Sequence, residues 1–199
     1  MKKKNQLSEW GYKLLKPILS PIFKFYYRPK VYNKEVIPTE GPILIVGNHK
    51  HIMDQCLCII STKRIIHYMA KKEYFDGKAA FFFKMTGCIS VNRSIHDEEA
   101  KEKALRVLND GGAIGLFPEG TRNKTNELLL PFKYGTVSMA KKTNATIVPF
   151  GITGDYKFRT KNLKVKFGKP FKVGKMSLES ANKKLRNEIE SILLEENEK

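Results

Sequence analysis

With 199 residues the chain fits a single domain with room for a proper core. Lysine and arginine number 37 against 20 aspartates and glutamates, a net charge of +17, so the surface must attract polyanions: nucleic acid, anionic lipid headgroups, an acidic carrier protein or a phosphorylated cofactor. Cys56, Cys58 and Cys88 form no CxxC pair and leave an odd count, and no Cys/His set has finger spacing, which excludes a disulfide framework and a structural zinc site.

Met1-Lys2-Lys3-Lys4 opens the chain, and polar Asn5-Gln6 follows where a secretory signal would begin its apolar core. No stretch approaches the ~20 apolar residues that cross a bilayer, so the expected setting is the cytoplasmic side. Residues 7–27 are dense in apolar and aromatic side chains, with Lys13, Lys16, Lys24 and Arg28 interleaved. Pro17 and Pro21 predict a break into short helical pieces. Such a segment fits a headgroup-level amphipathic element at a membrane; the other reading is a helix pair packed on the domain's own core.

Further on, strand-like and helix-like runs alternate. Strands are predicted at 43–46, 65–69, 88–91, 113–117, 146–150 and 163–167. A helix over 97–109 has Ser94 and Asp97 spaced as a capping box and Gly111-Gly112 as its stop. A second helix follows Pro131. A third, over 178–195, places Leu178, Ala181, Leu185, Ile189, Ile192 and Leu193 on one face. This alternation predicts an α/β sheet with helices on its faces. From Lys157 to Lys175 basic residues recur every two or three positions without an acid.

Chemistry concentrates where predicted strands end. Asn48-His49-Lys50-His51-Ile52-Met53-Asp54 follows Ile43-Leu44-Ile45-Val46-Gly47, and loops at strand ends hold the sites of α/β proteins. A carboxylate five positions after His49 can fold back onto the ring if a helix begins there, fixing its tautomer and making it a general base. His51 is a competing base on residue type alone. Arg93, after Cys88-Ile89-Ser90-Val91-Asn92, offers a planar fork to phosphate or to a surface acid.

Phe117-Pro118-Glu119-Gly120-Thr121-Arg122 ends another strand-like run. Gly120 permits a tight turn, Thr121 and Arg122 can bind an anion, and Glu119 either bonds a ligand hydroxyl or holds Arg122. Lys133 follows closely enough to join that anion site. Pro149 interrupts an apolar run, which suits a sheet edge or strand end lining a cavity. Cys56 and Cys58, just past the first motif, read as small packed hydrophobes; a nucleophilic role is the alternative.

Taken in order, NHxxxxD, GxxxxxR, FPEGTR and the apolar VP pair resemble the 1-acyl-sn-glycerol-3-phosphate acyltransferase family of glycerolipid acyltransferases, from about Gly41 to Phe150. The resemblance implies a single α/β acyltransferase domain over 28–199, a central mixed sheet flanked by helices, preceded by an N-terminal amphipathic membrane-interface segment over 1–27. It implies His49 as general base and Asp54 as its partner. Arg93 and Arg122 would hold the acceptor's phosphate, Glu119, Gly120 and Thr121 would shape the acceptor site, Lys133 would assist, and Pro149 would lie near the acyl region. No metal and no cofactor are implied beyond the acyl donor, acyl-CoA or acyl carrier protein.

The expected reaction is acyl transfer to the sn-2 hydroxyl of lysophosphatidate at the cytoplasmic face of an anionic membrane, by a peripheral or monotopic protein. Asn92 stands where relatives carry aspartate beside the phosphate-binding arginine, which leaves other lysolipid acceptors open. A nucleic-acid-binding protein is the rival that the charge suggests, but no DNA- or RNA-binding module accompanies the lysines.

Overall fold

The structure, a computed structural model, describes residues 8–92, 94–95 and 97–197. Seven strands form one sheet in the order β1-β7-β6-β2-β5-β3-β4. They are β1 (Lys30–Tyr32), β2 (Ile43–Gly47), β3 (Ile66–Lys71), β4 (Ile89–Val91), β5 (Ala113–Leu116), β6 (Thr146–Thr153) and β7 (Lys164–Phe167). All neighbours are parallel except β6 and β7, so the sheet is mixed. The helices are α1 (Trp10–Tyr27), α2 (Asp54–Ser61), α3 (Glu73–Asp76), α4 (Ala80–Met85), α5 (Glu98–Asn109), α6 (Gly135–Thr143) and α7 (Leu178–Asn197).

Two apolar layers sandwich the sheet. On one side α5, α6 and α7 pack against Leu44, Val46, Ile114 and Ile147; on the other, Phe23 of α1 and Leu57 of α2 meet Ile43, Ile45, Val148 and Phe150. Because β2 is buried on both faces, its sequence is an unbroken apolar run with no alternation. Each such side chain stabilises the fold by roughly 1.5–3 kcal/mol relative to exposure.

Pro17 and Pro21 do not break the N-terminal segment, which is one helix of 18 residues. The prolines sit one turn apart and both are exposed, so the carbonyls they free lie on the outer side. Gly11, Tyr12 and Phe23 keep the inner side in the core. The helix ends after Tyr27, where Arg28 adopts a left-handed conformation and its N–H bonds Lys24 O.

The predicted capping box at Ser94 is also replaced. Asp97 itself is the N-cap of α5, accepting from Ala100 N at 2.9 Å, while its other oxygen accepts from Asn92 N at 2.8 Å. Those N–H groups hold the Asp97 carboxyl below the usual carboxylate range. Pro149 lies neither at an edge nor at a strand end but inside β6, an interior strand. Its carbonyl takes Gly168 N at 2.8 Å, and Ile147, two residues earlier, exchanges both backbone bonds with Phe171, so the ladder continues past the missing N–H. Strand β1 and the short helices α3 and α4 carry too few residues for a periodic signal.

Candidate active site

Strands β2 and β5 are parallel neighbours with Val46 opposite Leu116, so the loops after them leave the sheet side by side at its carboxyl edge. This register brings two motifs some seventy residues apart into contact. Gly47, the last residue of β2, lies where any Cβ would strike the Phe150 ring, so only glycine lets the chain pass there. Next, Asn48 makes a buried reciprocal pair with Ile152 of β6: Nδ2 donates to Ile152 O at 3.0 Å and Oδ1 accepts Ile152 N at 2.8 Å.

Asp54 opens α2 and is wholly buried. Its Oδ2 lies 2.8 Å from His49 Nδ1 and accepts the backbone N–H groups of Lys50 at 2.7 Å and His51 at 2.8 Å. Its Oδ1 accepts the Tyr156 hydroxyl at 2.6 Å. A carboxylate at Nδ1 fixes the proton there and leaves the Nε2 lone pair free. The His49 ring stacks on Phe117, centroids 4.0 Å apart and planes 13° from parallel, and its side chain stays 16% accessible. His51 has a different employment: its ring lies flat against Tyr156 at 4.2 Å, and Nδ1 accepts Met53 N at 3.3 Å.

Glu119 does not pair with Arg122. It is buried, and its two oxygens accept His49 N at 2.8 Å and Leu130 N at 2.9 Å, tying both loops together. Asn123 N reinforces the seam by donating to His49 O at 2.6 Å. Gly120 has φ +73°, and a Cβ there would fall 2.9 Å from Cε of Lys133, so the lysine stem lies directly over the turn. Thr121 and Arg122 are exposed, and Arg122 has no hydrogen-bond or ion-pair partner among the described residues. Lys133 and Arg122 thus place two positive charges beside one turn. Arg93 lies outside the described residues; Asn92, just before it, spends its side chain on Ser94 N at 3.0 Å. Pro149 is buried beneath α7, beside Ile192.

Beside His49 opens a cleft of about 340 Å³, lined by Asn48, His49, Lys50, Asn123, Thr125, Asn126, Glu127, Leu128, Ile152, Thr153, Gly154 and Leu193. The cysteines are poorly suited to nucleophilic work: burial, with Asp54 adding to it, pushes the Cys56 thiol up to about 11, and Cys58 is fully buried with its thiol raised by the same cause. Among the described residues, no three of His, Cys, Asp or Glu are grouped to hold a metal ion. Sequence reasoning missed Asn48 as an anchor, Phe117 as the ring's platform and Tyr156 as a partner of Asp54. Phe117 and Asn48 were within quoted motifs, whereas Tyr156, 102 positions from Asp54, carried no signal.

Comparison with known proteins agrees with this architecture. A family described as Acyltransferase matches residues 28–153. A Bacillus subtilis protein named 1-acyl-sn-glycerol-3-phosphate acyltransferase is 30% identical over 80% of this chain and 81% of its own length. A Borreliella burgdorferi protein of the same name is 35% identical over 67% of this chain, but the match takes in only 54% of that protein. The crystal structure of PlsC from Thermotoga maritima, an acyltransferase for 1-acyl-sn-glycerophosphate, shares the fold, with a TM-score of 0.73 over 92% of this chain and 81% of that one at 24% identity. From the domain-length match and the Bacillus relative, the chain belongs to the acyltransferase family that includes these 1-acyl-sn-glycerol-3-phosphate acyltransferases.

Proposed function

We propose that this enzyme transfers an acyl chain from a thioester to the sn-2 hydroxyl of 1-acyl-sn-glycerol-3-phosphate, giving phosphatidate. The observation that supports it most is the His49–Asp54 pair at 2.8 Å, with Nε2 bonded to none of the described residues and beside an open cleft. In this reading Nε2 takes the hydroxyl proton as the oxygen attacks the thioester carbonyl. The tetrahedral intermediate collapses, the C–S bond breaks, and the proton passes from His49 to the departing thiolate. Asp54 stabilises the transient imidazolium, a role that its burial strengthens. Arg122 and Lys133, with Arg93, hold the acceptor phosphate over the Gly120 turn, and Thr121 borders it. Glu119 shapes the acceptor site through the backbone it braces, and Pro149 lies toward the acyl region. The donor is acyl-CoA or acyl carrier protein.

Residues 1–27 serve as the membrane-interface segment of a peripheral or monotopic protein at the cytoplasmic face, and 28–199 form the catalytic domain. In support, Trp10, Leu14, Ile18, Ile22 and Phe25 make an exposed stripe along α1, continued by Phe81 and Phe158. No helix among the described residues is long and apolar enough to cross a membrane. An amphipathic helix that lies in the headgroups answers both facts, and the lysines favour anionic lipid.

The decisive experiment incubates purified protein with a panel of lysolipids on vesicles and each donor in turn, with products identified by mass. Phosphatidate from lysophosphatidate, lost in His49→Ala with the fold intact, is the expected result. Near-normal turnover in that variant overturns the base assignment, and products from a different lysolipid alone overturn the acceptor.

A further inference from the structure

Asp54 has more lone pairs than its histidine can use, and something must hold the rest. Among the described residues, Oδ2 serves three donors, His49 Nδ1 and two backbone N–H groups, whereas Oδ1 has one, the Tyr156 hydroxyl at 2.6 Å. In a side chain with no accessible surface of its own, as in Asp54, an anionic oxygen without a donor bears its full desolvation cost, and the carboxylate would turn to share the donors it has left. Such a turn moves Oδ2 off Nδ1.

We infer that Tyr156 is a positioning residue for this reaction: its hydroxyl holds Asp54 Oδ1 so that Oδ2 stays aimed at His49 Nδ1. The inference rests on the His49–Asp54 base reading above. Tyr156 comes from the segment after β6, and two neighbours clamp its ring. His51 stacks on its face at 4.2 Å with planes 20° apart, and Tyr27 at the end of α1 meets it edge-on at 5.5 Å. That arrangement gives His51 a function, and it ties the end of the amphipathic helix to the catalytic carboxylate through one phenol. Burial first, then the Asp54 carboxylate, raise the Tyr156 phenol far above its ordinary range, so it remains a donor. The other titratable or charged groups around the pair are His49, Lys50 and His51 from the loop after β2, Cys56 and Cys58 from α2, Tyr27 from α1, and Asp155 in the exposed segment beside Tyr156.

Tyr156→Phe keeps the ring and both stacking contacts and removes only the donor. In the full chain we expect kcat to fall roughly tenfold to a hundredfold, the scale of one hydrogen bond to a charged group. KM for acceptor and donor should stay within about twofold, because no substrate contact is removed. Once Oδ2 turns off Nδ1, the imidazolium loses part of its counter-charge. The acid limb of the kcat/KM profile therefore moves to lower pH. In ¹⁵N spectra the His49 ring should lose its single Nδ1–H tautomer.

Wild-type turnover, pH limb and tautomer in Tyr156→Phe overturn the inference. So does a loss of activity that leaves limb and tautomer unchanged, since that is what a brace of the fold alone would give. If Tyr156→Phe does not fold, 3-fluorotyrosine at position 156 keeps the ring and the donor, so the single Nδ1–H tautomer must persist there, and its loss overturns the inference. His49→Ala is assayed alongside. Retained turnover there overturns the base reading itself, while an inactive His49→Ala beside a normal Tyr156→Phe overturns the inference alone.

Discussion

The loops at the carboxyl edge of the sheet and the outer face of α1 are built on opposite terms. In the loops polar groups are buried and paired: Asn48, Asp54 and Glu119 together engage backbone from β6, the His49 loop and the segment around Leu130. Along α1 the reverse holds, with large apolar side chains such as Ile22 at 57% and Phe25 at 62% exposed to solvent. A histidine must meet its partner within tenths of an ångström to act as a base, so its surroundings are over-determined. A surface that meets lipid needs apolar area and basic charge, with no fixed partner geometry. Precision and exposure are thereby separated, and Tyr27 on Tyr156 links α1 to the site.

Substitutions break this comparison in a graded way. The largest effect is expected at Asp54. Asp54→Ala should cost ~10²–10⁴-fold in turnover, because the base loses its orientation and its counter-charge. The same change strands the Lys50 and His51 N–H groups, so urea denaturation should show about 3 kcal/mol of lost stability. A variant with wild-type stability would show that the loop holds itself without the carboxylate.

Glu119→Ala comes next, with about 2 kcal/mol lost for two buried hydrogen bonds to a charged acceptor. Its kinetic effect should fall on kcat more than on acceptor KM, since the carboxylate holds the His49 backbone. A pure KM effect would mean that Glu119 contacts the substrate instead. Glu119→Gln should be milder, because one oxygen survives.

On the other side of the comparison, Ile18→Asp combined with Ile22→Asp should leave the thermal midpoint nearly unchanged, within about 0.5 kcal/mol, as surface changes do. Flotation with anionic vesicles should fall about tenfold or more, from the apolar burial lost. Activity on detergent-dispersed substrate should persist. Loss of folding in this variant would make the stripe part of the core.

The smallest effect is expected at Asp97. Asp97→Ala removes the α5 cap and should cost about 1 kcal/mol. Its sign with pH is fixed: a carboxyl held low in the fold adds stability above its unfolded value and loses it as pH falls through the folded one. The gap between Asp97→Ala and wild type should therefore narrow on acidification below the ordinary carboxylate range, measured by denaturation at several pH values.

Much of this was legible residue by residue. Apolar runs marked β2 and β5 because strands buried on both faces must be apolar throughout, whereas β7 showed itself by alternation, with Val165 and Phe167 buried between partly exposed lysines. The periodic face from Ala181 to Leu193 marked α7, and all of those residues are buried. Pro17 and Pro21 misled because propensity is judged without the tertiary contacts of Tyr12 and Phe23, which hold the helix across both prolines. Pro149 within an interior strand was decided by the pairing of β6 with β2 and β7, which no local pattern records, whereas Asp97 caps α5 through bonds within five residues of itself.

By itself, the sequence determined that a histidine and a carboxylate five positions apart would meet, because that spacing spans one loop and the start of one helix. It determined as well that basic charge and a dense apolar segment would coexist on one chain. Only the tertiary structure decided that Glu119 would serve the backbone of His49, that Phe117 would carry its ring, and that Tyr156 would take the far oxygen of Asp54. Those contacts depend on the parallel register of β2 with β5 and β6. Register is a property of paired strands and is written in neither strand alone.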